Sequence, residues 1–395
     1  MLGELLRILF GGGSPFSPSP LSPSVPAPSQ TPTTRTRAHG KTTAQPSRPH
    51  RPPQQPATGA DWRHLAQPGT GGGVTVYDPK RTPMKLTRAD EVAHGGEGVI
   101  YRIPHADAYL LKVCKPETLA DRQKLALFRE RLAAMTALAD CRNAQFLAWP
   151  IMPALDGHGM PIGFVMRKCT GRTFRALFAP AQVQRFFPGW NRIQVTQVAI
   201  NFLDAIRMLG SHKVLVNDFN PSNFLVDKSG AVRLIDCDSF QIPVSGGQPL
   251  LTRTFTPEFC APELLLHPEN FNRPRTPEQV RFSLAVVIYM ILMSGLHPFA
   301  RCGGGDPAEN LKSGKCPLVK SSGVRLPVNW YKSVSWLTPS LKACFIRMFV
   351  DGYAHPEKRP FLSELRAELA QFLDVMKSSR SENQRAILPT TARKG

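Results

Sequence analysis

One stretch constrains this chain more than any other. Residues 212–240 read HKVLVNDFNPSNFLVDKSGAVRLIDCDSF. Asp218 and Asn223 stand five apart with Pro221 between them, and Asp236 follows Asn223 after thirteen residues. FLV at 224–226 and VRLI at 232–235 are strand-forming runs joined by the turn residues DKSG. The spacing therefore predicts a hairpin with Asn223 at one root and Asp236 at the other. Taken singly, Asp218 and Asn223 read as turn caps and Asp236 as a strand end. Taken together, they supply a carboxylate able to accept a hydroxyl proton and a neutral and a charged oxygen ligand for a hard divalent cation.

Composition bounds the rest. The chain has 395 residues, 42% of them apolar, which is enough for a sizeable core. Its eight cysteines include no CxxC pair, which excludes a disulfide scaffold and the common zinc ribbons. Free thiols point to a reducing compartment, so the cytoplasm is expected. Of the net charge of +20, +5 lies on residues 1–60 and +4 on residues 377–395. Residues 1–60 hold 12 prolines, 7 serines and six basic residues against the single acid Glu4. The tail from Lys377 to Gly395 carries five basic residues and one acid. Both ends read as disordered basic segments. In MLGELLRILF at 1–10, Glu4 and Arg7 interrupt any signal-peptide core. The longest apolar run, FSLAVVIYMILM at 282–293, has twelve residues. Spanning a bilayer takes about 20, so this run reads as a buried helix and no transmembrane segment is expected.

Between the tails, β character precedes helical character. VTVY at 74–77 reads as a strand, as do runs within 90–113 and GFVMRK at 163–168. Residues 117–139 place Leu125, Phe128, Leu132, Met135 and Leu138 at helical spacings of three and four. Further helices are expected at 191–210, 280–294, 339–350 and 361–376. The fold class is α+β, a small β-rich part followed by a larger helical one. The expected divisions are 1–73, 74–170, 171–376 and 377–395. Gly95, Gly96 and Gly98 lie between two strand-like runs. Glycines there let backbone N–H groups approach phosphate oxygens; a plain hairpin turn is the other reading.

These residues together resemble the protein kinase superfamily, in which an Asp and an Asn of H-R-D-L-x-x-x-N precede a hairpin and the Asp of D-F-G. More narrowly, the chain is similar to a divergent bacterial group of kinase-like proteins, some found beside von Willebrand A and PP2C-phosphatase proteins. FLAWP at 146–150, GFVMRK at 163–168, NDFNPSNFLV at 217–226, LIDCDSFQI at 234–242 and TPEF with APEL within 256–264 carry the likeness, which covers roughly residues 85–375. The resemblance implies a bilobal kinase-like fold and an ATP- and Mg²⁺-dependent transferase acting on Ser or Thr hydroxyls of a protein. It implies Asp218 as catalytic base and Asn223 and Asp236 as metal ligands. Gly95, Gly96, Gly98 and Ile100 would form the phosphate loop, and Lys112 would pair with the nucleotide phosphates. Glu130, eighteen residues on and the only Glu between 121 and 140, would hold Lys112; a surface pairing along the helix is the competing reading. Met166 would stand behind the adenine, with Arg167 to Cys169 as the hinge. Ala261-Pro262-Glu263 would end the activation segment, with Arg359 as the buried partner of Glu263.

Several positions depart from the family pattern. Val216 and Asn217 replace the usual His and Arg, so strong dependence on loop phosphorylation is not expected. Asn220 stands where a lysine usually stabilises the transferred phosphate, Asp236-Cys237-Asp238 replaces D-F-G, and Val280 replaces a bracing aspartate. Lys112, Asp218 and Asp236 all remain. The alternative is a pseudokinase or nucleotide-binding scaffold without transfer activity. The resemblance also names partner candidates: a protein substrate, the chain itself included, and a phosphatase or von Willebrand A protein. A sequence pI near 10 raises polyanions, but the basic residues lie among Pro, Ser and Thr without aromatic interleaving, which argues against nucleic acid.

Overall fold

The computed structural model describes residues 73–95, 98–390 and Arg393. The expected disordered segment 1–73 thus lies, Gly73 apart, outside the described residues, and so does Gly96. Seven strands form one antiparallel sheet in the order β2-β1-β6-β7-β5-β4-β3. They are β1 (Val74–Tyr77), β2 (Pro83–Leu86), β3 (Glu91–His94), β4 (Gly98–Arg102), β5 (Tyr109–Cys114), β6 (Pro150–Leu155) and β7 (Pro161–Arg167). The register sets the site. Ile100, Lys112 and Phe164 lie directly across from one another on β4, β5 and β7. Strand alternation buries Leu111 and Val113 on one face of β5 and turns Leu110, Lys112 and Cys114 to the other.

The first two helices after β5 are α1 (Pro116–Ala120) and α2 (Arg122–Ala137). Asp121 caps α2, its carboxylate accepting from the N–H groups of Gln123 and Lys124 at 3.0 Å each. Leu132 and Met135 bury the inner face of α2. Trp149, fully buried, donates its indole N–H to the Met135 carbonyl at 2.9 Å. The helix is thereby tied to the chain leading into β6.

The second lobe opens with a three-stranded sheet, β10-β9-β8, built from β8 (Arg172–Thr173), β9 (Phe224–Val226) and β10 (Val232–Leu234). Asp227 makes the turn after β9, accepting from Ser229 N–H at 2.9 Å and Ala231 N–H at 3.1 Å. Around it pack α3 (Arg192–Ser211), α4 (Pro277–Leu292), α5 (Pro339–Ile346) and α6 (Leu362–Ser378). Helix α4 starts at a Thr276/Gln279 capping box with Pro277 in its first turn. The apolar run seen in the sequence lies along it, buried on all sides. Gly295, at φ 88°, ends it; a Cβ there would run into the Phe178 carbonyl. Among the described residues no helix is long and apolar enough to cross a membrane. The lobes join where Leu234 N–H donates to Phe146 O at 2.8 Å and Ala148 N–H to Leu234 O at 2.9 Å.

The architecture is α+β and bilobal, a small β-rich lobe before a larger helical one, as the resemblance implied. The carboxyl-terminal tail differs from expectation. Instead of a disordered segment from 377, α6 runs to Ser378 and a short helix covers Glu382–Arg385. Ile387 packs on the large core, and its carbonyl accepts from Ser294 Oγ at 3.2 Å. A single partly buried apolar side chain packs the segment against the core, which is too little to mark it in the sequence.

Candidate active site

Lys112 reaches into the cleft from the middle of β5. Its Nζ donates to Asp238 Oδ2 at 2.6 Å and lies 3.5 Å from Asp236 Oδ1. The side chains are 13% exposed for Lys112, 15% for Asp238 and 42% for Asp236. Gly98 pairs with Cys114 by register, and a Cβ on it would stand 2.7 Å from Val113 O and 3.1 Å from Lys112 Cγ. Glycine at this position therefore clears the path of the lysine stem. Gly95 N–H donates to Gly98 O at 2.8 Å and closes the turn between β3 and β4.

The expected partnership of Lys112 with Glu130 is not formed. Glu130 is exposed and makes no hydrogen bond or ion pair among the described residues. The periodicity of α2 explains this. Phe128, Leu132 and Met135 define the inward stripe, and Glu130 stands about 200° round the helix from Phe128 at 100° per residue. Arg131 lies on the inner side and is 7% exposed. It donates to Phe240 O at 2.6 Å and Leu251 O at 2.7 Å, tying α2 to the backbone after Asp238.

Beside Lys112 a cavity of about 860 Å³ opens between α2 and the Leu251–Thr254 segment, walled by Leu127, Phe128, Met135, Phe164 and Phe271. Ile100, Leu110 and Cys169 pack against a cluster that includes Met166, itself 7% exposed, with Leu132, Ala148 and Phe164. Arg167 ends β7, and Lys168 N–H donates to Ala108 O at 2.9 Å. The start of the connection between lobes is therefore anchored to the turn that leads into β5. Burial pushes the Cys169 thiol up to about 11 and the Cys237 thiol well above its ordinary value. Both stay protonated at neutral pH.

Across the cleft, Asp218 is 7% exposed. Its Oδ1 accepts from Thr256 Oγ1 at 2.7 Å and from Asn220 N–H at 3.2 Å, and its Oδ2 from Asn223 Nδ2 at 3.4 Å. Asn223 thus gives its NH₂ to Asp218, which leaves its carbonyl oxygen as the group suited to a cation. The hairpin fixes the other donor: Ile235 N–H bonds Asn223 O at 2.9 Å, and Asp236 follows in the left-handed conformation, φ 57°. Among the described residues no group of three or more His, Cys, Asp or Glu side chains is set to hold a metal. One amide and one carboxylate suit a Mg²⁺ ion that completes its shell with phosphate oxygens and water.

Glu263 and Arg359 form the expected buried pair, bidentate at 2.8 and 2.7 Å. Arg359 also donates to Gly352 O at 2.8 Å and Glu278 O at 3.0 Å and stacks on Phe282. His297 Nε2 donates to Glu258 O at 2.8 Å, while its Nδ1 accepts from Phe299 N–H at 3.2 Å.

The structure adds residues that sequence reasoning missed. Thr256 stands on Asp218; its signal was the TPEF run. Arg131 had its signal in the α2 stripe. Arg175 donates from Nε to Ser222 Oγ at 2.8 Å and from Nη2 to Asn220 Oδ1 at 3.3 Å. That puts a guanidinium on the loop where a lysine was missed, and nothing local in the sequence links the two.

Comparison with known proteins agrees with this geometry. Over 216 residues the chain is 31% identical to Protein kinase YegI of Escherichia coli (strain K12), covering 54% of this chain and 32% of that protein. Over 256 residues it is 28% identical to Serine/threonine protein kinase ypkA of Aspergillus fumigatus, covering 61% of this chain and 36% of that protein. The chain thus spans about a third of the length of these curated relatives. Residues 162–378, more than half of the chain, match the protein kinase domain. The chain belongs to the protein kinase domain family.

Proposed function

We propose that the chain transfers the γ-phosphoryl group of ATP to Ser or Thr hydroxyls of a protein. The observation that carries this reading is the meeting of Lys112 and Asp236, 124 residues apart in sequence and 3.5 Å apart in space. Asp218 accepts the proton of the substrate hydroxyl as its oxygen forms the new bond to Pγ. The bond from Pγ to the β-phosphate oxygen breaks, and its electron pair leaves with ADP. Lys112 holds the phosphates, and Asn223 and Asp236 would hold Mg²⁺, which supplies charge neutralisation there. Gly95 and Gly98 close the loop over the phosphates, and Ile100, Met166 and the Arg167–Cys169 backbone border the base. The Thr256 hydroxyl, 2.7 Å from Asp218, is an alcohol of substrate type held against this carboxylate. That favours Ser or Thr as acceptors. The protein kinase name of the relatives supports the same class.

The test is incubation with γ-labelled ATP and Mg²⁺, with a generic basic protein as acceptor. Label is expected on the acceptor or on the chain itself, and absent with Asp218→Ala and Asp236→Asn. Equal labelling by the variants would attribute the transfer to a contaminant. Nucleotide binding without label in the wild type would favour the scaffold reading. A partner phosphatase or von Willebrand A protein belongs to the same proposal and is tested by co-purification. The eight free cysteines suit a reducing, cytoplasmic setting.

A further inference from the structure

We propose that Asp238 is the carboxylate that anchors Lys112 for the nucleotide phosphates, in place of a helix glutamate. The proposal deepens the kinase reading of this site and rests on it. Asp238 lies 2.6 Å from Lys112 Nζ, the shorter of the two contacts to the 236–238 turn. Both side chains are largely buried, so solvent screens the pair little. Asp236, more exposed, faces the open cleft where a cation would bind. The division of labour is chemical: one carboxylate fixes the ammonium and its neighbour serves the metal.

The turn that presents Asp238 is firmly held. Ser239 donates to Asp236 O from its N–H at 3.1 Å and from its Oγ at 2.7 Å. Cys237 is buried beneath the turn, 1% exposed. Arg131 grips the backbone at Phe240, two residues past Asp238. An aspartate on a fixed turn can therefore hold the ammonium at the end of a flexible four-carbon stem in one place. Helix α2 offers no competing carboxylate, because Glu130 faces outward. An ammonium has three donors, so a bond to Asp238 and a bond to phosphate are compatible. Asp238 is a positioning residue, acting on phosphate through Lys112. The same replacement explains how the D-F-G pattern is absent without loss of order: the third position of Asp236-Cys237-Asp238 carries a side chain with a structural partner.

Two readouts separate this role from its rivals. The first uses the nucleotide-free chain. Lys112 acetylation by sulfo-N-hydroxysuccinimidyl acetate is followed by peptide mass spectrometry for wild type, Asp238→Ala, Asp238→Glu and Glu130→Gln. Lys112 is expected to label several-fold faster in Asp238→Ala, with Lys124 and Lys342 unchanged. Asp238→Glu should restore much of the protection, and Glu130→Gln should label as wild type. Unchanged Lys112 labelling in Asp238→Ala, or faster labelling in Glu130→Gln, overturns the proposal. A general rise at all lysines would mean simple unfolding and overturns it too.

The second readout is binding of Mg-ADP by calorimetry. Asp238→Ala should weaken it about tenfold, one charge-assisted contact's worth. Tighter binding would make Asp238 a block on Lys112 and overturn the anchor. Because labelling needs neither nucleotide nor transfer, an inactive wild type would defeat the kinase reading alone and leave the anchoring decided by Lys112.

Discussion

Two ion pairs stand at opposite ends of the catalytic machinery, and they are built differently. Arg359 and Glu263 meet in the core of the large lobe. The arginine side chain is fully buried, bidentate to its partner and bonded to two further carbonyls. Lys112 and Asp238 meet at a cleft between lobes, through a single short contact. The first pair is nearly saturated: the guanidinium makes four hydrogen bonds to acceptors and lies over the Phe282 ring. The second is a held charge with room for a phosphate beside it. A pair meant to fix a fold satisfies itself, whereas a pair meant to serve a ligand leaves a side open to it.

Breaking the saturated pair should cost most. Arg359→Met leaves the Glu263 carboxylate and two backbone carbonyls without their donor. Loss of one partner from a buried pair costs about 3–5 kcal/mol. Urea unfolding should show that loss for Arg359→Met and a smaller one for Glu263→Gln, since Glu263 is 23% exposed. A double variant less destabilised than the sum would confirm that the two act as one unit. A change under about 1 kcal/mol in Arg359→Met would mean that the corner is dispensable.

Acid should loosen the same lobe. Burial lowers the His297 pKa from 6.5 to about 4. The neutral ring is required because Nδ1 accepts from Phe299 N–H, and protonation there removes that acceptor. Above pH 6.5 the group is neutral in folded and unfolded chains alike. Below it the unfolded chain takes up a proton that the fold refuses, so stability falls as pH drops from 6.5 toward about 4. The slope is about 1.4 kcal/mol per pH unit, or roughly 3 kcal/mol across the window. Denaturant midpoints of wild type and His297→Gln at pH 7 and 4.5 check this. The variant should lose less on acidification; equal losses would remove His297 as the cause.

These two lobes were not equally legible in the sequence. Asp218, Asn223, Asp236, Glu263 and Arg359 lie in short motifs whose roles depend on local spacing, and local spacing survives folding. The hairpin at 224–234 and the helices of the large lobe appeared where strand and helix patterns placed them. The partner of Lys112 depended instead on how one helix is rotated and on which of several acids a turn brings near. Residue type and distance along the chain pointed to Glu130, whereas rotation about α2 favours the side of Arg131. The stripe Phe128, Leu132 and Met135 held that information. Asp238 had none to offer: its contact spans 126 residues and depends on packing between lobes. Strand β6 and the docking of Ile387 were equally silent, because Pro-containing strands and single apolar anchors leave no period.

Arg131 sharpens the contrast from the small-lobe side. Arg131→Met keeps most of the apolar stem but removes two charge-assisted bonds to Phe240 O and Leu251 O. The expected loss is about 2–3 kcal/mol. Hydrogen exchange should rise in α2 and in the Phe240–Leu251 segment together while α4 and α6 stay protected. Exchange that rises in α2 alone would show that the helix is held by its apolar face and that the arginine does not couple it to the segment.

The smallest effect should come from Thr256, where fold and chemistry overlap. Thr256→Val is nearly isosteric and removes the hydroxyl that donates to Asp218 at 2.7 Å. Asp218 keeps the N–H of Asn220 and the amide of Asn223. The carboxylate is therefore not stranded, and the stability cost should be about 1 kcal/mol. If Thr256 only ties its segment to the catalytic loop, peptide KM should rise with little change in kcat, because the loop loses its alignment for substrate but the base is intact. If the hydroxyl also orients the Asp218 oxygen that takes the proton, kcat should fall with KM nearly constant. The first pattern would place Thr256 with Arg359, as a piece of architecture. The second would place it with Lys112 and Asp238, among the groups that face a ligand.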